Sequence, residues 1–221
     1  AESVRDSSLL LIDLGHGKDR LGGSVYSQVT QRFDSVTPDM EDPKELKKFL
    51  ELIRSLSAKG AILAYHDRSD GGLAAALCEM MFASHVGVEI VADALVSKDR
   101  TLNQALFNEE LGAVIQVARG RAAEVERDFE AAGMGWSLKY LGNLTQDDHL
   151  NIYLEGKCVL SEDRVDLQKA WNEVSWQIAR MRDNPECADS EYELISDKHN
   201  GGLVLTMGLS LIHISEPTRR S

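Results

Sequence analysis

The stretch AYHDRSDGGLAAAL, residues 64–77, decides the fold: a short apolar run ends in His66-Asp67-Arg68-Ser69-Asp70-Gly71-Gly72, and an apolar segment begins directly behind it. Leu73, Ala76, Leu77, Met80 and Met81 recur at helical spacing, and residues 61–65 read as a buried strand. The sequence therefore predicts a strand-loop-helix unit with the loop at a helix N-terminus. Such a terminus presents unpaired N–H groups and a partial positive charge, which suit phosphate oxygens wherever glycine lets the backbone come close. Gly71 and Gly72 allow that approach, Asp67 offers a hard oxygen ligand for Mg²⁺, and Ser69 offers a hydroxyl to a phosphate. The same residues also suit a plainer structure, in which Ser69 or Asp70 caps the helix, Asp67 fixes a turn and the glycines only permit the backbone path. Spacing alone favours the plainer reading, because Asp-Gly-Gly turns are common.

Working outward, residues 9–14 (LLLIDL) form a short apolar run bounded by Gly15, the pattern of a buried strand. The loop that follows contains Gly22, Gly23 and Ser24 ahead of a predicted helix. These three are candidates for binding a substrate phosphate, but they match neither GxGxxG nor a P-loop, and a turn with a serine cap explains them as well. Residues 45–57 place Leu46, Phe49, Leu50, Ile53 and Leu56 on one helical face, with Gly60 as a stop. Strands are expected at 86–91 and 113–117, with a helix at 102–107 between them. Another helix carries Val125, Phe129 and Ala132 and stops at Gly133, and Leu150, Ile152 and Leu154 alternate as in a half-buried strand. Alternating strands and helices through residue 160 predict a layered α/β domain.

Beyond it, Leu167, Trp171, Val174, Ile178 and Met181 make one apolar helical stripe, and residues 183–200 read as a polar linker broken at Asn184-Pro185. Residues 209–221 (LSLIHISEPTRRS) resemble translated adapter sequence and stand outside the fold argument. The organisation expected is an α/β domain at 1–160, a helix and linker at 161–208, and a non-native tail at 209–221.

Composition narrows the function. A formal net charge of −12 disfavours nucleic acid, whose phosphates are held by Lys and Arg, while 43% hydrophobic and 27% charged residues call for neither disorder nor a membrane span. The three cysteines Cys78, Cys158 and Cys187 fit no disulfide framework or metal spacing, which points to a reducing, cytoplasmic setting. The N-terminus lacks the features of a signal peptide and a starting Met, as expected of a chain that begins mid-protein. His16 reads as a surface residue, His66 as structural, Cys78 as inert, and the segment Asn108-Glu109-Glu110-Leu111-Gly112 as a capped turn in preference to a metal site.

Taken in order, LLLIDLGHGKDRLGGS, LAYHDRSDGGLAAALCEMMFA, LFNEELGAVIQV and WQIARMRDNPECAD resemble the second synthetase half of the large, single-chain formylglycinamide ribonucleotide amidotransferases, the phosphoribosylformylglycinamidine synthase family. The resemblance covers about residues 8–200. It implies a layered α/β domain like the C-terminal domain of the aminoimidazole ribonucleotide synthetase superfamily, followed by a helix and linker toward a glutaminase domain. It also implies an ATP-dependent C–N ligase that converts formylglycinamide ribonucleotide to the amidine with ammonia from glutamine. An amide oxygen leaves readily only once phosphorylated, and ammonia must be kept from water.

By the same resemblance Asp67 matches the aspartate that binds nucleotide-associated Mg²⁺, and Ser69 the serine that contacts ATP or ADP, both in an auxiliary nucleotide site with a structural role. No catalytic residue is expected. The chain contains nothing like the glutaminase Cys-His-Glu set, the first ATP-binding half or the N-terminal domain with the remaining metal ligands, so it is expected to be an inactive fragment. The alternatives are a non-catalytic domain in which ADP and Mg²⁺ brace the parent enzyme, and a stand-alone cyclo-ligase, against which the segment after residue 160 speaks.

Overall fold

The computed structural model describes residues 6–32 and 36–197. Its first strand, β1 (Ser7–Asp13), is buried along its whole length. Alternate side chains of a strand point to opposite faces, and here both faces find a core. Leu9 and Leu11 enter one apolar cluster with Leu73, Leu77, Met81, Val88 and Ile90. Leu10 and Ile12 enter a second with Phe49, Leu56, Ile115, Val125 and Phe129. A strand covered on both sides reads as a continuous apolar run, which is why 9–14 shows no alternation.

The helices along this part of the chain are α1 (Val25–Thr30), which enters neither cluster, and α2 (Pro43–Ala58), α3 (Gly72–Ser84), α4 (Leu102–Phe107) and α5 (Ala122–Ala131), which supply them. Of these, α3 and α4 cover one face, and α2 and α5 cover the other. The remaining strands are β2 (Ile62–Asp67), β3 (Gly87–Val91), β4 (Gly112–Ala118), β5 (Leu138–Thr145), β6 (His149–Leu154) and β7 (Lys157–Asp163). They form one seven-stranded sheet in the order β2-β4-β1-β5-β3-β6-β7. The layered α/β architecture is as the sequence predicts, with antiparallel pairing throughout except between β3 and β6.

Three readings need correction. The strand at 61–65 is not buried: β2 lies at an edge of the sheet and its side chains alternate, with Leu63, Tyr65 and Asp67 exposed. Residues 138–145 and 157–163 carry strands the periodicity did not reveal, because β7 is a polar edge strand and β5 is interrupted by Gly142, packed against the Glu89 backbone. The segment 183–200, read as a linker, contains a helix, α7 (Pro185–Glu193). Asn184 does not break it but starts it, its side chain accepting the Glu186 N–H at 2.9 Å, with Pro185 at the first helical position.

The helix expected over 167–181 is α6 (Arg164–Arg182). Its first residue, Arg164, is fully buried and donates twice to the Asp148 carboxylate, at 2.6 and 3.1 Å. Leu167 packs on the first core, and Trp171 meets Phe82 with ring centroids 6.0 Å apart. Val174, Ile178 and Met181 are exposed. The chain divides into two compact units, Ala1–Ser175 and Trp176–Ser221. In the second unit Trp176 stacks on Tyr192 at 4.2 Å and donates to Asp189 at 2.9 Å. The tail 209–221 and the start of the chain lie outside the described residues. Among those residues no helix is long and apolar enough to cross a membrane.

Candidate functional site

The strand-loop-helix unit forms as the sequence predicts. β2 ends at Asp67, exposed at the strand tip, and the chain turns through exposed Ser69 and Asp70 into α3. Gly71 and Gly72 both take left-handed backbone conformations, at φ 79° and 69°. At Gly72 the demand is doubled, because a Cβ there would sit 2.6 Å from the Asn108 carbonyl oxygen. Neither Ser69 nor Asp70 caps α3, which begins with no side-chain hydrogen bond from its N-cap residue. The Ser69 carbonyl accepts the Gly72 N–H at 2.9 Å and closes the turn.

Arg68, between Asp67 and Ser69, turns inward, and this the sequence reading missed. Its side chain is fully buried; Nε donates to the Glu110 carbonyl at 2.6 Å, and Nη2 donates to Asp13 Oδ1 at 2.8 Å. Its Nη1 is buried and has no hydrogen-bond partner among the described residues. Asp13 is 2% exposed and also accepts from Lys139 at 2.9 Å and from the Gly15 N–H at 3.1 Å. Burial by itself would raise its pKa, but the charges of Arg68 and Lys139 outweigh that and hold the carboxyl far below the usual range. Arg100 joins Asp13 to Asp19, and the Asn108 side chain donates to Asp19 at 3.1 Å.

The Gly22-Gly23-Ser24 loop is held from within. Gly22 donates to the Val36 carbonyl at 2.8 Å and packs so tightly on it that a Cβ would collide with the backbone. Ser24 is buried; its hydroxyl donates to the Leu21 carbonyl at 2.7 Å and accepts the Ser27 N–H at 3.2 Å, which caps α1.

What brings the two glycine loops together is the segment Asn108–Leu111, ahead of β4. Glu109 Oε1 accepts the Val25 N–H of α1 and the Gly71 N–H at the start of α3, each at 2.9 Å. Glu110 is fully buried and receives Arg20 through Nε at 2.6 Å, Nη2 at 2.7 Å and the backbone N–H at 3.0 Å. This is the capped turn the sequence suggested, extended into a hub that reaches both loops. The only sequence signal for it was three polar side chains directly before a buried strand.

The two histidines have partners of their own. His66 contacts Glu79 at 2.9 Å and the Asp67 carbonyl at 2.7 Å. His16 stacks on Trp136 at 4.0 Å and contacts Glu45 at 2.8 Å; with Asp13, Gly17 and Lys139 the pair lines a cavity of about 370 Å³. Burial, helped by the Glu79 charge, pushes the Cys78 thiol up to about 11, which disfavours the thiolate at neutral pH.

In this loop a divalent cation would find the exposed carboxylates of Asp67 and Asp70, and no group of three or more His, Cys, Asp or Glu side chains among the described residues is placed to hold a metal. That suits Mg²⁺, which often binds through one or two carboxylates and completes its shell with phosphate oxygens and water.

The comparisons with known proteins agree with the fold. Residues 7–155 match the family model described as AIR synthase related protein, C-terminal domain. The fold resembles that of PurLQS from Thermotoga maritima, at a TM-score of 0.58 and 14% identity over 72% of this chain and 25% of that one. It also resembles T. maritima PurL complexed with FGAR, at 0.56 and 15% over 74% of this chain and 28% of that one. T. maritima PurL complexed with ATP gives 0.56 and 12% over 72% of this chain and 25% of that one. The chain thus spans about a quarter of the length of these structures. The match over residues 7–155, most of the chain and the whole of the sheet up to β6, places it in the AIR synthase related protein, C-terminal domain family.

Proposed function

We propose that the chain is part of the second synthetase half of an ATP- and glutamine-dependent ligase that converts formylglycinamide ribonucleotide to its amidine in purine biosynthesis, and that alone it binds nucleotide without turnover. One observation carries this reading: α3 opens on two left-handed glycines, and Asp67 and Ser69 stand exposed just ahead of it. An exposed carboxylate beside a glycine-rich helix start suits a magnesium-bridged polyphosphate. Asp67 would hold the ion and the Ser69 hydroxyl would donate to a phosphate oxygen, while the Gly72 N–H is held by the Ser69 carbonyl and the Gly71 N–H by Glu109. Mg²⁺ would supply charge neutralisation between carboxylate and phosphate. The loop of Gly22, Gly23 and Ser24 would face the substrate with backbone groups, since the Ser24 hydroxyl is engaged in its cap. Structures of T. maritima PurL with ADP and with AMPPCP support the nucleotide class.

The second reading, a non-catalytic ADP and Mg²⁺ brace, is favoured by the absence of an activated nucleophile among the described loop residues. Calorimetric titration of the chain with ADP, with and without Mg²⁺, tests nucleotide binding. Binding is expected only with Mg²⁺, and Asp67→Asn should weaken it about tenfold or more, the scale of one lost charge-assisted contact. Failure of the wild-type chain to bind Mg²⁺-ADP overturns the proposal. In the full-length parent, a brace predicts that Asp67→Asn lowers thermal stability and leaves turnover per folded molecule unchanged; a ligand of the reacting nucleotide predicts lost turnover.

A further inference from the structure

We propose that the cavity at the C-terminal end of β1 binds a small molecule made of a flat aromatic ring and one acid group, phosphate or carboxylate, with Lys139 receiving the acid and Trp136 the ring. The cavity measures about 370 Å³, room enough for such a molecule, and is lined by Asp13, His16, Gly17, Trp136 and Lys139. Charge favours an anion there. Asp13 and Asp19 face three cations, Arg68, Arg100 and Lys139, so the two carboxylates leave one positive charge uncompensated. Both oxygens of Asp13 are taken, Oδ1 by Arg68 and the Gly15 N–H, Oδ2 by Lys139 and Arg100. Of the three cations Lys139 lines the cavity and is the most exposed, so the excess charge is most accessible at its Nζ. An ammonium carries three N–H donors, and that of Lys139 has one acceptor among the described residues, Asp13. Its remaining donors suit the oxygens of a phosphate or carboxylate. Glu45 is engaged by His16 Nε2 at 2.8 Å and does not line the cavity. The ring follows from the aromatic pair: Trp136 is exposed and stacks on His16 with centroids 4.0 Å and planes 21° apart. Both rings line the cavity, so a third flat ring can extend the stack beside the Lys139 ammonium.

Nuclear magnetic resonance of the whole chain tests this at the site itself, because the three tryptophans, Trp136, Trp171 and Trp176, each give an indole N–H signal and Trp136→Phe identifies its own. The probes, added without Mg²⁺, are AMP and naphthoate, with adenosine as the ring without an acid and inorganic phosphate as the acid without a ring. AMP or naphthoate should shift the Trp136 signal saturably and leave those of Trp171 and Trp176 in place. A response to AMP alone assigns a phosphate ester, to naphthoate alone a carboxylate, and to both either acid. Adenosine and phosphate should each bind about tenfold more weakly or worse, the scale of one lost charge-assisted contact. Lys139→Met should bring AMP and naphthoate down to the level of adenosine, and Lys139→Arg should keep them tight. His16→Ala, which leaves Asp13 untouched, should weaken every ring probe and preserve the ratio of AMP to adenosine. If Lys139→Met fails to fold, that ratio in the wild type measures the same contact. Asp67→Asn should change nothing, which separates this cavity from the loop at residues 67–72. No saturable Trp136 shift with either acid probe, adenosine bound as tightly as AMP, or a folded Lys139→Met with unchanged affinity overturns the proposal; so does loss of the shift in Asp67→Asn.

Discussion

Replacing Asp13 by asparagine should be among the most damaging near-isosteric changes available to this chain. The carboxylate is 2% exposed and faces Arg68, whose side chain is fully buried, together with Lys139 and Arg100, whose side chains are 20% and 12% exposed. The amide keeps the shape but removes the charge, leaving the Arg68 guanidinium buried without a counter-ion; Nη1 of that group already lacks a hydrogen-bond partner among the described residues. Breaking a buried pair by removing one partner costs about 3–5 kcal/mol. Arg100 keeps Asp19 and Lys139 keeps partial access to water, which argues for the lower half of that range. With a urea m-value of about 1–3 kcal/mol/M, the unfolding midpoint should fall by about 2 M.

The pH dependence gives an independent check. The folded-state pKa of Asp13 is depressed, so its contribution is fully present above the unfolded value of about 4 and is lost as pH falls toward the folded value. The stability gap between wild type and Asp13→Asn should therefore be flat from about pH 7 to 5 and narrow below about pH 4. A loss under about 1 kcal/mol at pH 7, the size of an exposed ion pair, or a gap that widens in acid, would refute the buried-network argument.

Two further predictions follow from backbone and thiol environment. Gly72→Ala forces a side chain into a left-handed backbone position and within 2.6 Å of the Asn108 carbonyl, whereas Gly17→Ala, at φ 71°, meets nothing within 4 Å. The Gly17 change should cost about 1 kcal/mol and the Gly72 change at least about 2 kcal/mol more in urea unfolding; equal costs would mean the α3 entrance yields easily. A thiol reagent at pH 8 should label exposed Cys158 and Cys187 quickly and Cys78 much more slowly, because burial raises the Cys78 thiol to about 11. Equal rates for all three, read by mass spectrometry, would show that the helix around Cys78 opens readily.

The sequence by itself determined the layered α/β class, the strand-loop-helix unit at 62–84 and the positions of most helices. Apolar periodicity and glycine punctuation are local properties of a chain and survive without knowledge of its partners. That Ser24 caps a helix was also legible, since the signal lies within three residues. The plainer reading of 67–72 failed where it looked local: Ser69 and Asp70 were the natural caps, yet α3 takes its acceptor from Glu109, 38 residues away. Arg68 gave no signal, because alternation along β2 cannot say that the residue past its end will be drawn inward by Asp13, 55 residues earlier. The edge position of β2 and the strands β5 and β7 were likewise decided by pairing, since exposure at a sheet edge depends on which neighbour a strand lacks. Local pattern fixed what each segment becomes. Only the tertiary structure decided which charges meet, because a carboxylate finds its cation through space and carries no trace of that distance in its own neighbourhood.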